Sequence, residues 1–267
     1  MTVMLGNQGI KIVGMEEAMK LVADLGKKGP WILKGTLDKT AKDVKEAQQV
    51  VMRSVFDRPT PYAQGALFTQ NATTQNLTSK VWLKDKYSFT SGTKATEYLL
   101  PHIIGGERGF KGFEKALFRV GVLPAGLYCV PGAKAPLDAY GNISRGFLVQ
   151  IISYFQAFGE QGYRANITGK RKAKLKKGTK KNIGYEYFAI RKPGGRLRPG
   201  IYRKTYGGGF SGGSFSTTGS SIEPVIMFVR KPTYRARWDF WRVGIVRANS
   251  VWRQNFEESF KAEMARE

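Results

Sequence analysis

Ile222-Glu223-Pro224-Val225-Ile226-Met227-Phe228-Val229-Arg230 reads as a β-strand, and four residues later Tyr234 opens a different pattern. Tyr234, Trp238, Trp241, Ile245, Ala248, Trp252 and Phe256 recur at three- and four-residue steps, the spacing of one helical face. Arginines flank that face, and the spacing predicts a helix over Tyr234–Ala265. A strand leading into a long terminal helix sets the fold class, because the same mixture recurs upstream.

Moving back from that stretch, Tyr185–Arg191 and Gly200–Lys204 also read as strands. Leu127–Val130 reads as a short strand before Pro131-Gly132, and Leu77–Leu83 alternates Leu77, Ser79, Val81 and Leu83 as a half-buried one. Helical spacing appears in Phe110, Phe113, Leu117 and Val120, and again in Phe147, Leu148, Ile151, Ile152, Phe155 and Phe158.

Near the start, Met15–Lys27 reads as a helix stopped by Gly29-Pro30. A longer helix is expected from Trp31 to Phe56, with a stripe of Leu33, Leu37, Val44, Ala47, Val51 and Val55. Asp57-Arg58-Pro59-Thr60-Pro61 ends it, since neither proline can continue a helix. Helices, then strands, then a helix make an α+β fold. The expectation is one domain over residues 1–267: N-terminal helices and a long terminal helix packed on a mostly antiparallel sheet. A basic arm or loop at 164–182 and a mobile Gly/Ser-rich loop at 206–221 interrupt it.

Charge is the second signal. The chain of 267 residues carries a formal +24, with 44 Lys/Arg against 20 Asp/Glu. Residues 161–256 hold 22 cations and three acids, whereas residues 1–160 hold 20 cations and 13 acids. The centre of the bias is Arg164, Lys170, Arg171, Lys172, Lys174, Lys176, Lys177, Lys180 and Lys181, nine cations with no acid among them. Like charges repel in a compact state, so such a block points outward, to a polyanion or an acidic neighbour. Cations on a phosphate backbone release counterions, which gives salt-sensitive affinity without sequence preference. Tyr163, Tyr185 and Tyr187 are placed to stack on bases, and their spacing fits a sheet core equally well. No helix-turn-helix, zinc-finger or RNA-recognition signature accompanies the charge.

Catalytic chemistry finds little footing. The single histidine, His102, lies among apolar residues, where a structural role is expected rather than a Ser-His-Asp or Cys-His partnership. The single cysteine, Cys129, reads as a small buried apolar residue; it excludes an intramolecular disulfide framework and fits a reducing cytoplasm. Asp57, Asp85, Glu97, Glu107, Glu114 and Asp138 show no spacing for a Mg²⁺ site. Gly105–Gly109 and Gly207–Ser214 lack the phosphate-loop pattern and read as turns. The expectation is no enzyme, no cofactor and no metal. No apolar run reaches membrane-spanning length, and no secretory signal is read.

The order of pieces resembles a known group. Ile12-Val13-Gly14-Met15-Glu16-Glu17-Ala18-Met19 ahead of a long helix, the Phe56–Pro61 break, and the ending Ile222–Phe228 followed by Tyr234–Phe240 are similar to phage tail-completion and head-to-tail-joining proteins. That group includes the minor tail protein Z of lambda-type phages. Tyr98–Arg108 through Ala139–Ile143 is similar to a segment of phage virion proteins. The resemblance implies a structural virion protein at the neck or tail, assembled in the host cytoplasm as a homo-oligomeric ring or in several copies. Its implied partners are other virion proteins (portal, neck, tail tube or terminator) and packaged DNA, with no membrane. The alternative is a sequence-independent nucleic-acid-binding protein that stays outside the particle.

Overall fold

The computed structural model describes residues 2–5, 8–10, 12–84, 94–179, 182–206, 209–211, 214–216 and 220–266. In chain order its strands are β1 (Thr2–Leu5), β2 (Gln8–Ile10), β3 (Leu67–Gln70), β4 (Thr78–Leu83), β5 (Gly106–Glu107), β6 (Leu127–Pro131), β7 (Gly184–Ile190), β8 (Gly200–Tyr206), β9 (Gly209–Ser211), β10 (Ser214–Ser216), β11 (Ser221–Arg230) and β12 (Thr233–Tyr234). Its helices are α1 (Met15–Ala23), α2 (Lys28–Val55), α3 (Pro61–Gln64), α4 (Ala95–Ile104), α5 (Gly112–Arg119), α6 (Arg145–Tyr154), α7 (Gly169–Lys177) and α8 (Phe240–Met264). The fold is α+β with a long C-terminal helix. Instead of one domain, the chain forms two compact units: Met1–Gly106 with Tyr234–Glu267, and Glu107–Thr233. The second is therefore an insertion within the first. No described helix is long and apolar enough to cross a membrane.

The first unit is built on α2 and α8. Its 28 residues make α2 about 42 Å long. Lys28 Nζ reaches the Arg266 carbonyl, Lys39 pairs with Glu258, Asn255 donates to Asp43, and Gln48 meets Phe240, so the two helices run antiparallel. Leu33, Leu37 and Val44 are buried as expected, but Ala47, Val51 and Val55 are only half-buried. The buried line instead continues through Gln48 and Met52. Gln48 earns that place by its hydrogen bonds: Trp238 Nε1 donates to its Oε1 at 2.8 Å and its Nε2 donates to the Phe240 carbonyl at 2.6 Å. On the other helix and the segment leading into it, Trp252 and Trp238 are buried, whereas Ile245 is exposed. The helix begins at Phe240 rather than Tyr234, because the Asp239 carboxylate caps it by accepting from the Arg242 N–H.

A four-stranded sheet in the order β2-β1-β4-β3 completes this unit; β1 and β4 are parallel and the other pairs antiparallel. Val81 and Leu83 of β4 join the α2 core. Gly29-Pro30 does not stop a helix but lies in the first turn of α2, where a proline has no intrahelical bond to lose.

In the second unit, β6-β11-β8-β7 form an antiparallel sheet over a core that includes Leu117, Leu123, Ile151, Ile201, Val225 and Ile226. β11 bulges between Pro224 and Ile226, where the proline has no N–H to offer the ladder. The entry to α5 is tied to β6 by one carboxylate. Glu114 takes two bonds from the Arg108 guanidinium, at 2.6 and 2.7 Å, and one each from the Lys111 and Cys129 N–H groups. Both charged side chains are buried.

Two outcomes follow for stability. Gln48→Leu would leave the buried Trp238 N–H without an acceptor and cost about 1–3 kcal/mol in denaturant unfolding, with an unchanged slope. Burial opposes the Glu114 charge, but the Arg108 and backbone bonds outweigh it and hold its carboxyl below the usual range. Its contribution is thus fully present above the unfolded glutamate pKa and is lost as pH falls through the folded one. Glu114→Gln should cost about 3–5 kcal/mol at neutral pH, by stranding the buried guanidinium, and should flatten the acid limb of a melting-temperature profile.

Candidate polyanion interface

The centre of the basic block is a helix, not a loop. Lys, Arg, Ala and Leu are strong helix formers, and residues Gly169–Lys177 are framed by two stop signals. Thr168 Oγ1 accepts from the Arg171 N–H, and Gly178, in the left-handed region at φ 71°, donates its N–H to the Lys174 carbonyl. Read as a nine-residue window between a threonine cap and a glycine cap, the sequence carries this signal; its charge obscured it.

The helix is held by the sheet. A Cβ at Gly184 would fall inside contact distance of the Lys176 carbonyl, so the start of β7 closes directly on the helix. Leu175 packs on the core. Lys172 Nζ lies 4.7 Å from the Tyr154 ring, which meets Tyr187 edge-on, while Lys176 pairs with Glu186 at 3.1 Å. Glu186 and Tyr187 occupy opposite faces of β7. Leu175 packs on the core to which Tyr187 belongs and Lys176 meets Glu186 on the other face, so the helix lies along β7, an edge strand of its sheet. Thus α7 covers an edge that would otherwise be open to pairing.

This docking sorts the predicted site residues. Lys172 is half-buried against Tyr154, and Lys176 is tied to Glu186. Lys170, Lys174 and Lys177, at i, i+4 and i+7, with Arg171 beside them, are exposed on the outward side. Over about 10 Å of helix that stripe matches roughly three successive phosphates of one strand. Arg164 lies outside the helix, exposed at the end of the 3-10 turn Glu160–Ala165. Lys180 and Lys181 lie outside the described residues. The block is thus one face of four cations and a second group turned to the protein.

Other residues join it that the sequence pattern did not single out. Tyr206 OH donates to Glu186, and the Lys176 and Lys204 ammonium groups each lie 5.1 Å from the Tyr206 ring. The Tyr206 hydroxyl and then the Lys176 ammonium hold the Glu186 carboxyl below its usual range, against a desolvation that raises it. The available signal was Glu186 itself, the only acid between Glu160 and Glu223. Tyr185 and Tyr187 belong to the core, with Tyr187 buried and Tyr185 accepting from Gln150, so neither offers a stacking platform. The side chain of Tyr163 lies outside the described set. A further exposed cluster, Arg191, Lys192, Arg196 and Arg198, sits on the hairpin between β7 and β8. In all, the second unit carries 23 Lys/Arg against six Asp/Glu, a net +17.

The groups considered for catalysis are engaged elsewhere. His102 Nδ1 accepts from Arg237 at 3.3 Å, its ring meets Phe56 and Tyr234 edge-on, and burial and then Arg237 lower its pKa. Burial and then Glu114 push the Cys129 thiol up to about 12, which keeps it protonated. Glu107 pairs with Lys231, Asp57 with Arg58, and Asp138 accepts from the N–H groups of its own turn. Asp85 is not among the described residues. Among those described, no three His, Cys, Asp or Glu form a metal-holding group. The expected mobile loop at 206–221 instead contains a hairpin, with β9 paired to β10 so that Phe210 stands opposite Phe215; Gly207, Gly208, Gly212, Gly213 and residues 217–219 are not described.

Gly184→Ala should push α7 off the strand. Faster amide exchange over residues 170–177 and concentration-dependent association through the uncovered β7 edge are the expected readouts.

Comparison with known proteins finds no matching family model, no matching curated protein and no matching solved structure.

Proposed function

We propose that this chain is a non-enzymatic structural subunit of a phage virion, at the neck or tail, present in several copies. Its inserted basic unit contacts packaged DNA through the outward face of α7. The observation that carries the contact is the stripe of Lys170, Lys174 and Lys177 with Arg171, for which no described acid serves as a partner. Like charges at i and i+4 destabilise a helix by a few tenths of a kcal/mol per pair, so these residues do not hold α7 together. A partner that brings negative charge relieves that repulsion. The virion assignment is supported by the resemblance in Ile12–Met19, Phe56–Pro61 and the strand-to-helix ending. A first unit assembled from both ends of the chain, with a charged unit inserted, suits a subunit that packs through one part and reaches DNA with another.

The location is tested by quantifying the protein in purified particles. A small fixed copy number is expected, and its presence only in the lysate of infected cells would instead favour a nucleic-acid-binding protein outside the particle. The contact is tested by changing Lys170, Arg171, Lys174 and Lys177 to Gln. The melting temperature should hold or rise, while the slope of log K against log salt for duplex DNA flattens by about 0.9 for each phosphate no longer neutralised. An unchanged slope would turn the reading to an acidic protein surface.

A further inference from the structure

Glu186 is a single carboxylate surrounded by donors suited to a phosphate. Lys176 Nζ lies 3.1 Å from its Oε2, the Tyr206 hydroxyl donates to its Oε1, and Lys204 stands directly opposite it in the β7–β8 register. Two ammonium groups and a phenol therefore converge on one negative charge, leaving one positive charge uncompensated. Ammonium and hydroxyl donors recognise carboxylate and phosphate oxygens by the same charge-assisted bonds. The place is open to solvent, with the Lys176 side chain 55% exposed and that of Glu186 26% exposed, so an incoming anion needs no opening of the core. It also lies on the helix that carries the outward cation stripe.

We infer that Lys176, Lys204 and Tyr206 form a phosphate subsite which Glu186 occupies in the free protein. The inference rests on the polyanion-contact reading of α7 and adds a regulation to it. In the free protein Glu186 tethers α7 to β7 and masks two cations. A phosphate of the bound polyanion replaces the carboxylate, so those cations are released only when a competing anion arrives. The carboxylate thus offsets one of the two lysine charges in the absence of DNA and yields to phosphate in its presence. Lys204, on a strand outside the basic block, becomes a contact residue.

The test compares two variants that remove the same charge from the same sheet. Glu186→Gln opens the subsite. Glu223→Gln removes an acid paired with Arg203 at 2.7 and 3.0 Å, away from Lys176 and Tyr206. The full-length chain is titrated with a short duplex DNA and, separately, with inorganic tripolyphosphate. Glu186→Gln should tighten binding of the duplex roughly two- to five-fold at fixed salt, because the incoming phosphate no longer has to displace a carboxylate. It should also tighten tripolyphosphate binding roughly two- to five-fold, the scale of one exposed ion pair. Glu223→Gln should leave both affinities unchanged. Equal shifts in the two Glu→Gln variants, or no shift in Glu186→Gln, would overturn the subsite. Failure of the wild-type chain to retain DNA would overturn the DNA reading alone, because the tripolyphosphate arm still decides the subsite.

Discussion

Gln48 of α2 lies fully buried and ties that helix to the start of α8, two helices drawn from opposite ends of the chain. It accepts from the Trp238 indole and donates to the carbonyl of Phe240, the first residue of α8. A buried polar group is tolerated only when its bonding capacity is met, so this contact specifies one register of α2 against α8 and penalises others. With those helices paired, the first unit closes on itself from both termini. The residues between Gly106 and Tyr234 are then left to form a unit of their own, with its own core and its own sheet.

In that second unit the charge is accommodated by geometry rather than by neutralisation. The helix α7 gains from capping at both ends, from Leu175 on the core and from the close approach of Gly184, against the mutual repulsion of its lysines. Two of its lysines engage the protein, Lys172 half-buried over the Tyr154 ring and Lys176 paired with Glu186 at the surface. The remaining cations face outward as a stripe. One helix thus lies along an edge strand and displays an outward row of cations, a combination that ties charge display and stability to the same strand.

Much of this architecture was legible in the residues. The periods that predicted α2, α6, β4, β7, β8 and β11 are local, and the structure places those elements within a few residues of expectation. The misses have common causes. β1 and β2 lack a strong alternation, and α4 contains Pro101, which reads as a helix breaker. For α7, the dense positive charge argues against a helix, and the caps at Thr168 and Gly178 carry the helix signal. The apolar stripe assigned to α2 drifted off the buried face because Gln48, a polar residue, occupies a core position through its hydrogen bonds. Ile245 failed for the converse reason: an apolar residue at the right spacing is exposed when no neighbour covers it.

The opening strand-to-helix stretch, the clustering of cations after residue 160, and the scarcity of His and Cys are properties of the chain read locally, and they established an α+β fold with a strongly basic region. Which cations face outward was a different question. It depended on the edge position of β7, on Glu186 standing opposite Lys204 across two strands, and on Tyr154 approaching from another helix. Spacing along the chain encodes period and charge, but pairing between distant segments is selected by burial and hydrogen bonding in three dimensions. Tertiary packing therefore divided a run of like charges into an outward stripe and two lysines engaged by an aromatic ring and a carboxylate.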